Sequence, residues 1–127
     1  MPPLGQVVRE LRLQAGLSLN ELARRAGVDP AYVHRIESPN VERAPVPRRQ
    51  VVLSIAVALG LDAHQTDELL THAGYAPEAL LQLGGWDYTL ASVAELLSDR
   101  RLSGPAKAEF REIVRNLGQR WGRPDPG

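Results

Sequence analysis

The sequence predicts an all-α protein of 127 residues, and three observations carry that prediction. Apolar residues recur at the three- and four-residue spacing of amphipathic helices. Serine or aspartate precedes several of these stretches and glycine follows them, as expected at the starts and ends of helices. One central stretch also has the pattern of two short helices joined by a tight turn.

The first helix is predicted over residues 4–15. Its apolar positions Leu4, Val7, Val8 and Leu11 recur at i, i+3, i+4 and i+7, the spacing of one helix face. Because a glycine, Gly16, follows directly, we expect the helix to end there.

The central stretch begins at Ser18, a favourable N-cap, and Glu21 three residues later completes a capping box. Gly27 ends this second helix, because glycine adopts the left-handed conformation without steric cost. Asp29 caps a third helix in which Pro30 takes the first position. In a helix-turn-helix of this kind, the second of the two helices lies in the DNA major groove.

This pattern resembles the lambda-repressor-like helix-turn-helix family, also called the XRE family. The resembling segments are Leu17-Ser18, Glu21-Leu22-Ala23, Ala26-Gly27-Val28, Tyr32-Val33, Arg35-Ile36-Glu37 and Ile55-Ala56-Val57-Ala58-Leu59-Gly60. The resemblance covers about residues 4–76 and implies a five-helix lambda-repressor-like DNA-binding domain, which we place at residues 1–76. A small C-terminal helical segment follows at residues 77–127.

The resemblance also implies an ion pair between the first and third helices. In the family an arginine at the position of Arg12 pairs with the glutamate that ends the recognition helix, here Glu37. Such a pair would be structural and would not read bases. The alternative is that the two residues are independent surface charges.

The second helix of this family meets the DNA backbone. Ser18 and the free N–H groups at the start of the helix are expected to contact a phosphate, with help from Asn20. The family often has glutamine where this chain has Leu19, and leucine can neither contact phosphate nor orient a base-reading side chain.

The recognition helix departs from the family at its first two outward positions, Pro30 and Ala31. Ala31 remains able to touch a thymine methyl, so hydrogen-bonded readout falls to Tyr32, His34 and Arg35. The guanidinium of Arg35 can hold guanine O6 and N7 bidentately. The alternatives are that Tyr32 packs on the turn, that His34 is simply exposed, and that Arg35 contacts phosphate or solvent.

A proline-rich linker over residues 38–50 is about five residues longer than is common in the family. There this loop runs along the DNA backbone, and Pro47-Arg48 matches a proline-basic pair. Arg48 is therefore expected at a phosphate or in the minor groove, with Arg43 and Arg49 as weaker candidates. The alternative is a solvated loop.

The fourth and fifth helices are predicted over residues 47–60 and 62–74. On the fifth, His64, Glu68 and His72 are spaced four residues apart, which is a spacing that can bind a metal. They lie opposite the apolar stripe, however, and the sequence offers no fourth ligand. We predict neither a metal site nor a cofactor.

The C-terminal segment carries amphipathic helices, of which the last has the longest apolar stripe. About fifty residues make a poor free-standing core, so we expect this face to be a homodimer interface. The predicted interface residues are Trp86, Phe110, Ile113, Val114, Leu117 and Trp121. The alternatives are packing on the first domain or binding another protein.

Composition narrows the class of protein. The chain has no cysteine and a net charge of zero, but residues 1–60 carry +3 and residues 61–127 carry −3. The basic excess thus lies in the proposed DNA-binding half. No signal-peptide pattern and no apolar run of membrane-spanning length is present, so we expect a cytoplasmic protein without membrane contact.

These observations predict a sequence-specific DNA-binding transcriptional regulator, a homodimeric repressor of which double-stranded DNA is the partner. We see no catalytic grouping of residues and predict no enzymatic activity. One alternative is an antitoxin-type regulator that binds a toxin through its C-terminal helices. The other is a protein-interaction module that has lost base readout, which Leu19, Pro30 and the zero net charge would favour.

Overall fold

The structure, a computed structural model, describes residues 2–40, 42–83 and 87–121, and this part of the chain contains eight α-helices and no strand. The helices are α1 (Leu4–Gln14), α2 (Leu19–Ala26), α3 (Pro30–Ile36), α4 (Arg49–Ala58), α5 (Ala63–His72), α6 (Glu78–Leu81), α7 (Tyr88–Ser98) and α8 (Gly104–Trp121). The chain divides into an N-terminal unit, Met1–Gly84, and a C-terminal unit, Gly85–Gly127. The predicted all-α fold class is confirmed.

Local sequence sets the ends of α2. The hydroxyl oxygen of Ser18 accepts a hydrogen bond from the N–H of Glu21 at 3.1 Å, and Gly27 ends the helix with a φ of +70°. The predicted capping box is only half formed, because the Glu21 carboxylate does not return to the backbone of Ser18. It lies 3.5 Å from the Ser18 hydroxyl and 3.9 Å from the guanidinium of Arg25.

Helices α1 to α5 together enclose the core of the N-terminal unit. Helix α2 packs on α3 and α4, and α5 packs on α1 and α4. The buried apolar residues are Val8, Leu17, Leu22, Ala23, Val33, Ile36, Val52, Ile55, Ala56, Leu59, Leu69 and Leu70. Every helix from α1 to α5 contributes to this core, so the core fixes α3 relative to the other four.

The short helix α6 belongs to the N-terminal unit. The carboxylate of Asp67 accepts hydrogen bonds from the N–H groups of Glu78 at 2.8 Å and Ala79 at 3.3 Å. Arg49 donates to the Glu78 carboxylate at 2.8 Å. These contacts hold the residues after Pro77 on α4 and α5, so the units separate at residues 84/85, later than the boundary predicted at 76/77.

The C-terminal unit contains α7 and α8. Ser103 caps α8, since its hydroxyl oxygen accepts a hydrogen bond from the N–H of Ala106 at 3.2 Å. Among residues 87–120 of this unit, none is buried. No helix in the described ranges has both the length and the apolar character needed to cross a membrane.

Candidate nucleic-acid interface

Helix α3 is fixed at its start and along one face. The Asp29 carboxylate accepts a hydrogen bond from the N–H of Ala31 at 2.8 Å, and Pro30 occupies the first turn. On the inner face, the side chains of Val33 and Ile36 are 0 % and 1 % exposed. Since both ends of this face are buried, α3 presents a defined opposite face to solvent.

The outward face of α3 carries the predicted base-reading residues. Ala31, His34 and Arg35 are exposed, whereas Tyr32 is half-buried and packs against the core. The guanidinium carbon of Arg35 lies 5.5 Å from the centre of the Tyr32 ring, within cation–π distance. The ring of Tyr32 therefore supports the Arg35 guanidinium. Tyr32 itself is partly packed, which agrees with the alternative that it is a packing residue.

The structure brings Arg12 and Glu37 together. Nε and Nη2 of Arg12 donate to the two carboxylate oxygens of Glu37 at 2.8 and 2.9 Å, and Nη1 donates to the carbonyl of Leu17 at 3.0 Å. The two side chains are only 12 % and 7 % exposed. The hydrogen bonds to Glu37 raise the pKa of Arg12 against the opposing effect of its burial. This bidentate pair ties α1 to the end of α3 and leaves neither group free for DNA.

The start of α2 presents two of the predicted backbone contacts. Ser18 and Asn20 are exposed there, and the Ser18 oxygen is engaged as the helix cap. Leu19 is half-buried and packs against the core. The leucine that stands in place of the family's glutamine is thus a packing residue, which explains a departure that the sequence left open.

The loop before α4 carries three arginines in different surroundings. Arg43 is exposed in a turn where its N–H bonds to the carbonyl of Asn40, and Arg48 is exposed as the first residue before α4. Arg49 is engaged within the fold, because it donates to the carbonyl of Ala76 at 2.7 Å and to Glu78. Of the three, Arg43 and Arg48 are exposed and Arg49 is half-buried.

Sequence reasoning did not single out Arg9. This exposed residue lines a cavity of about 260 Å³ together with His34 and Leu19, so α1 adds a positive charge beside the recognition helix. The signal was present in the sequence, since Arg9 precedes Arg12 by nearly one helical turn. It was hidden because helix periodicity places the residue on α1 but does not bring α1 next to α3.

The histidines of α5 do not converge. His64 lies 3.0 Å from the Glu68 carboxylate on an exposed face, while Nδ1 of His72 lies 3.1 Å from the carbonyl of Pro2. Within the described residues, no three metal-ligating side chains come together.

The apolar stripe predicted for the dimer interface is partly visible. On α8, Phe110 is half-buried, and Ile113, Val114 and Leu117 are 51 %, 46 % and 36 % exposed. Trp86 and the side chain of Trp121 lie outside the described residues. The visible members form one apolar helix face that is open to solvent.

Comparison with known proteins agrees with this architecture. Residues 3–69, spanning α1 to the middle of α5, match the family model described as a helix-turn-helix domain. The HTH-type transcriptional regulator SinR of Bacillus subtilis (strain 168) is 31 % identical over an alignment of 117 residues, which covers 87 % of this chain and 88 % of that protein. No solved structure matches the chain significantly. The chain therefore belongs to the lambda-repressor-like (XRE) helix-turn-helix family of DNA-binding transcriptional regulators.

Proposed function

We propose that this protein is a sequence-specific regulator that binds an operator with α3 in the major groove. The observation that carries the proposal is the contrast between the two faces of α3. Val33 and Ile36 are buried on one face, and Ala31, His34 and Arg35 are exposed on the other. A helix fixed in this way can enter the groove with little loss of conformational freedom.

Base readout rests chiefly on Arg35, whose two outer nitrogens match O6 and N7 of a guanine. Ala31 is small enough to lie against a thymine methyl, and His34 adds a hydrogen-bonding group one position before Arg35. Tyr32 acts by supporting the Arg35 guanidinium. Pro30 contributes no donor, so we expect few direct base contacts in each half-site.

Phosphate contacts surround this readout. Ser18, Asn20 and the first N–H groups of α2 form one group, and Arg43 and Arg48 of the loop before α4 form another. Such contacts fix the register of the protein on the duplex and weaken as salt rises. The net charge of only +3 over residues 1–60 predicts moderate affinity for DNA of any sequence.

We further propose that the protein acts as a homodimeric repressor. The exposed stripe of Ile113, Val114 and Leu117 supports dimerisation, because a contiguous apolar helix face favours burial against a partner. A two-fold dimer would place two copies of α3 on successive turns of the major groove. Occupying a promoter is sufficient for repression and requires no chemistry.

The test is selection from a pool of random duplexes at near-physiological salt. We expect an enriched inverted repeat, whose spacing gives the separation of the two recognition helices. If a single half-site is enriched, the protein still reads DNA sequence, but it does not bind its site as a dimer. If nothing is enriched, the proposal fails, and a partner protein bound through residues 77–127, as in an antitoxin-type regulator or an interaction module, becomes the better account.

A further inference from the structure

The segment that carries Arg48 is held from both sides by residues at the junction of α5 and α6. On one side, the Tyr75 hydroxyl donates a hydrogen bond to the carbonyl of Pro47 at 2.6 Å. On the other side, Arg49 donates to the carbonyl of Ala76 at 2.7 Å and to the Glu78 carboxylate at 2.8 Å. The residue between these two attachments is the exposed Arg48.

The attachment points are themselves fixed. The Pro47 side chain is fully buried, and Tyr75 is half-buried against the core. The N–H of Tyr75 also bonds to the carbonyl of Leu70 at the end of α5, at 2.9 Å. The backbone N–H of Glu78 donates a hydrogen bond to the carboxylate of Asp67 on α5. This bond keeps Glu78, the partner of Arg49, next to α5.

We propose that Tyr75 and Arg49 are positioning residues for DNA binding, which together hold the backbone of Arg48 so that its side chain meets a phosphate. This inference rests on the proposed function. It assigns a role in DNA affinity to Tyr75, which is 27 residues away from Arg48 and outside residues 3–69, the part that matches the helix-turn-helix family model. Without these bonds the long loop before α4 would be free to move, and ordering it on DNA would reduce the affinity.

The experiment measures the dissociation constant of the selected duplex at several salt concentrations for a set of variants. Tyr75→Phe removes only the hydroxyl, and Arg49→Lys keeps the charge but loses the two-pronged geometry. Tyr88→Phe is the matched control, because Tyr88 is 90 % exposed in the C-terminal unit. Arg48→Ala, alone and combined with Tyr75→Phe, completes the set.

We expect Arg48→Ala to make the slope of log affinity against log salt less steep by about one per half-site. Tyr75→Phe and Arg49→Lys should each weaken binding by about two- to tenfold and should also make the salt dependence less steep. Tyr88→Phe should change neither the affinity nor its salt dependence. In the Arg48→Ala background, Tyr75→Phe should have no further effect, since the contact that it positions is already lost.

Three results would overturn the inference. If Tyr75→Phe weakens binding equally with and without Arg48, Tyr75 is only structural. If Tyr75→Phe and Arg49→Lys both show the same salt dependence of binding as the wild type, the attachments do not position a phosphate contact. If the wild type binds no duplex at all, the proposed function itself fails and this inference fails with it.

Discussion

At the scale of single residues, we propose that readout of the operator depends most on Arg35. Its side chain is exposed, and its guanidinium carbon lies over the ring of Tyr32, 5.5 Å from the ring centre. A stacked side chain is restricted before any ligand arrives, so a base contact by Arg35 would cost less rotamer entropy. Tyr32 in turn is held by its packing against the core.

Arg35→Ala should relax sequence preference at one base pair of each half-site. We expect binding to the selected site to weaken by about 1–3 kcal/mol per half-site, while binding to unrelated DNA changes little. Competition binding with duplexes substituted at each position measures both effects. Arg100→Ala, which removes the same charge from an exposed position between α7 and α8, is the control. Equal losses on specific and unrelated DNA would mean that Arg35 contacts phosphate.

At the scale of elements, Gly5 is a point at which α1 lies directly against the end of α3. This glycine is buried, and a Cβ at its position would collide with the backbone carbonyl oxygen of Ile36 and come within 3.2 Å of the Cα of Glu37. The contact lies next to the Arg12–Glu37 pair, so the same end of α3 is held by close packing and by a bidentate ion pair. Both interactions fix the recognition helix to α1.

Gly5→Ala should therefore destabilise the protein even though alanine favours helices. We expect a loss of about 1–3 kcal/mol in the free energy of unfolding, because backbone atoms must move to admit the methyl group. Urea unfolding measures it. Gly118→Ala in α8 is the control, since no atom of the described residues beyond its own stretch of helix lies within 4 Å of the place that its methyl group would take, and it should stabilise by about 0.5–1 kcal/mol. Equal stabilisation by both substitutions would contradict the close approach.

The start of α7 should respond to acid. The Asp87 carboxylate accepts a hydrogen bond from the N–H of Thr89 at 2.7 Å, and this bond lowers the pKa of Asp87. Because the folded-state pKa lies below the unfolded value, the contribution to stability is present above about pH 4 and is lost as pH falls through the folded-state pKa.

The amide chemical shift of Thr89, followed by NMR against pH, reports this titration. We expect its midpoint below the ordinary aspartate value of about 3.9. Asp87→Asn should make the shift independent of pH in this range while preserving the cap, since asparagine caps helices as well as aspartate does. A midpoint at or above the ordinary value would show that the bond does not form in solution.

The helices and their ends could be predicted because the signals are local. Ser18, Asp29 and Asp62 each cap a helix by bonding to a backbone N–H two or three residues ahead. The attachment of α6 could not be predicted, because Arg49 and Glu78 are 29 residues apart and nothing in the spacing of either pairs them. The residues of the candidate site also differ in whether local sequence predicts their surroundings. The exposure of Arg35 follows from helix periodicity, whereas the engagement of Arg49 depends on tertiary packing.

On the scale of the whole molecule, the two units differ in what they bury. The buried apolar residues of the described chain all lie in the N-terminal unit, which therefore has its own core. In the C-terminal unit, the described part of α8 leaves Ile113, Val114 and Leu117 one-third to one-half exposed. Removing such an apolar face from water is favourable, so the face favours association. In a two-fold dimer it would pack against the same face of the second copy.

Ile113→Glu places a carboxylate in the centre of this face and should separate the proposed dimer into monomers. Analytical ultracentrifugation measures the mass of the species, and DNA titration compares the inverted repeat with a single half-site. We expect affinity for the repeat to fall by about a hundredfold or more, because the two half-sites are no longer bound as one unit, while half-site affinity is retained. Gln119→Glu adds the same carboxylate on the opposite side of α8 and should leave both unchanged. A wild type that sediments as a monomer when bound to the full repeat would exclude this dimer, and the stripe would then be a surface for a different protein.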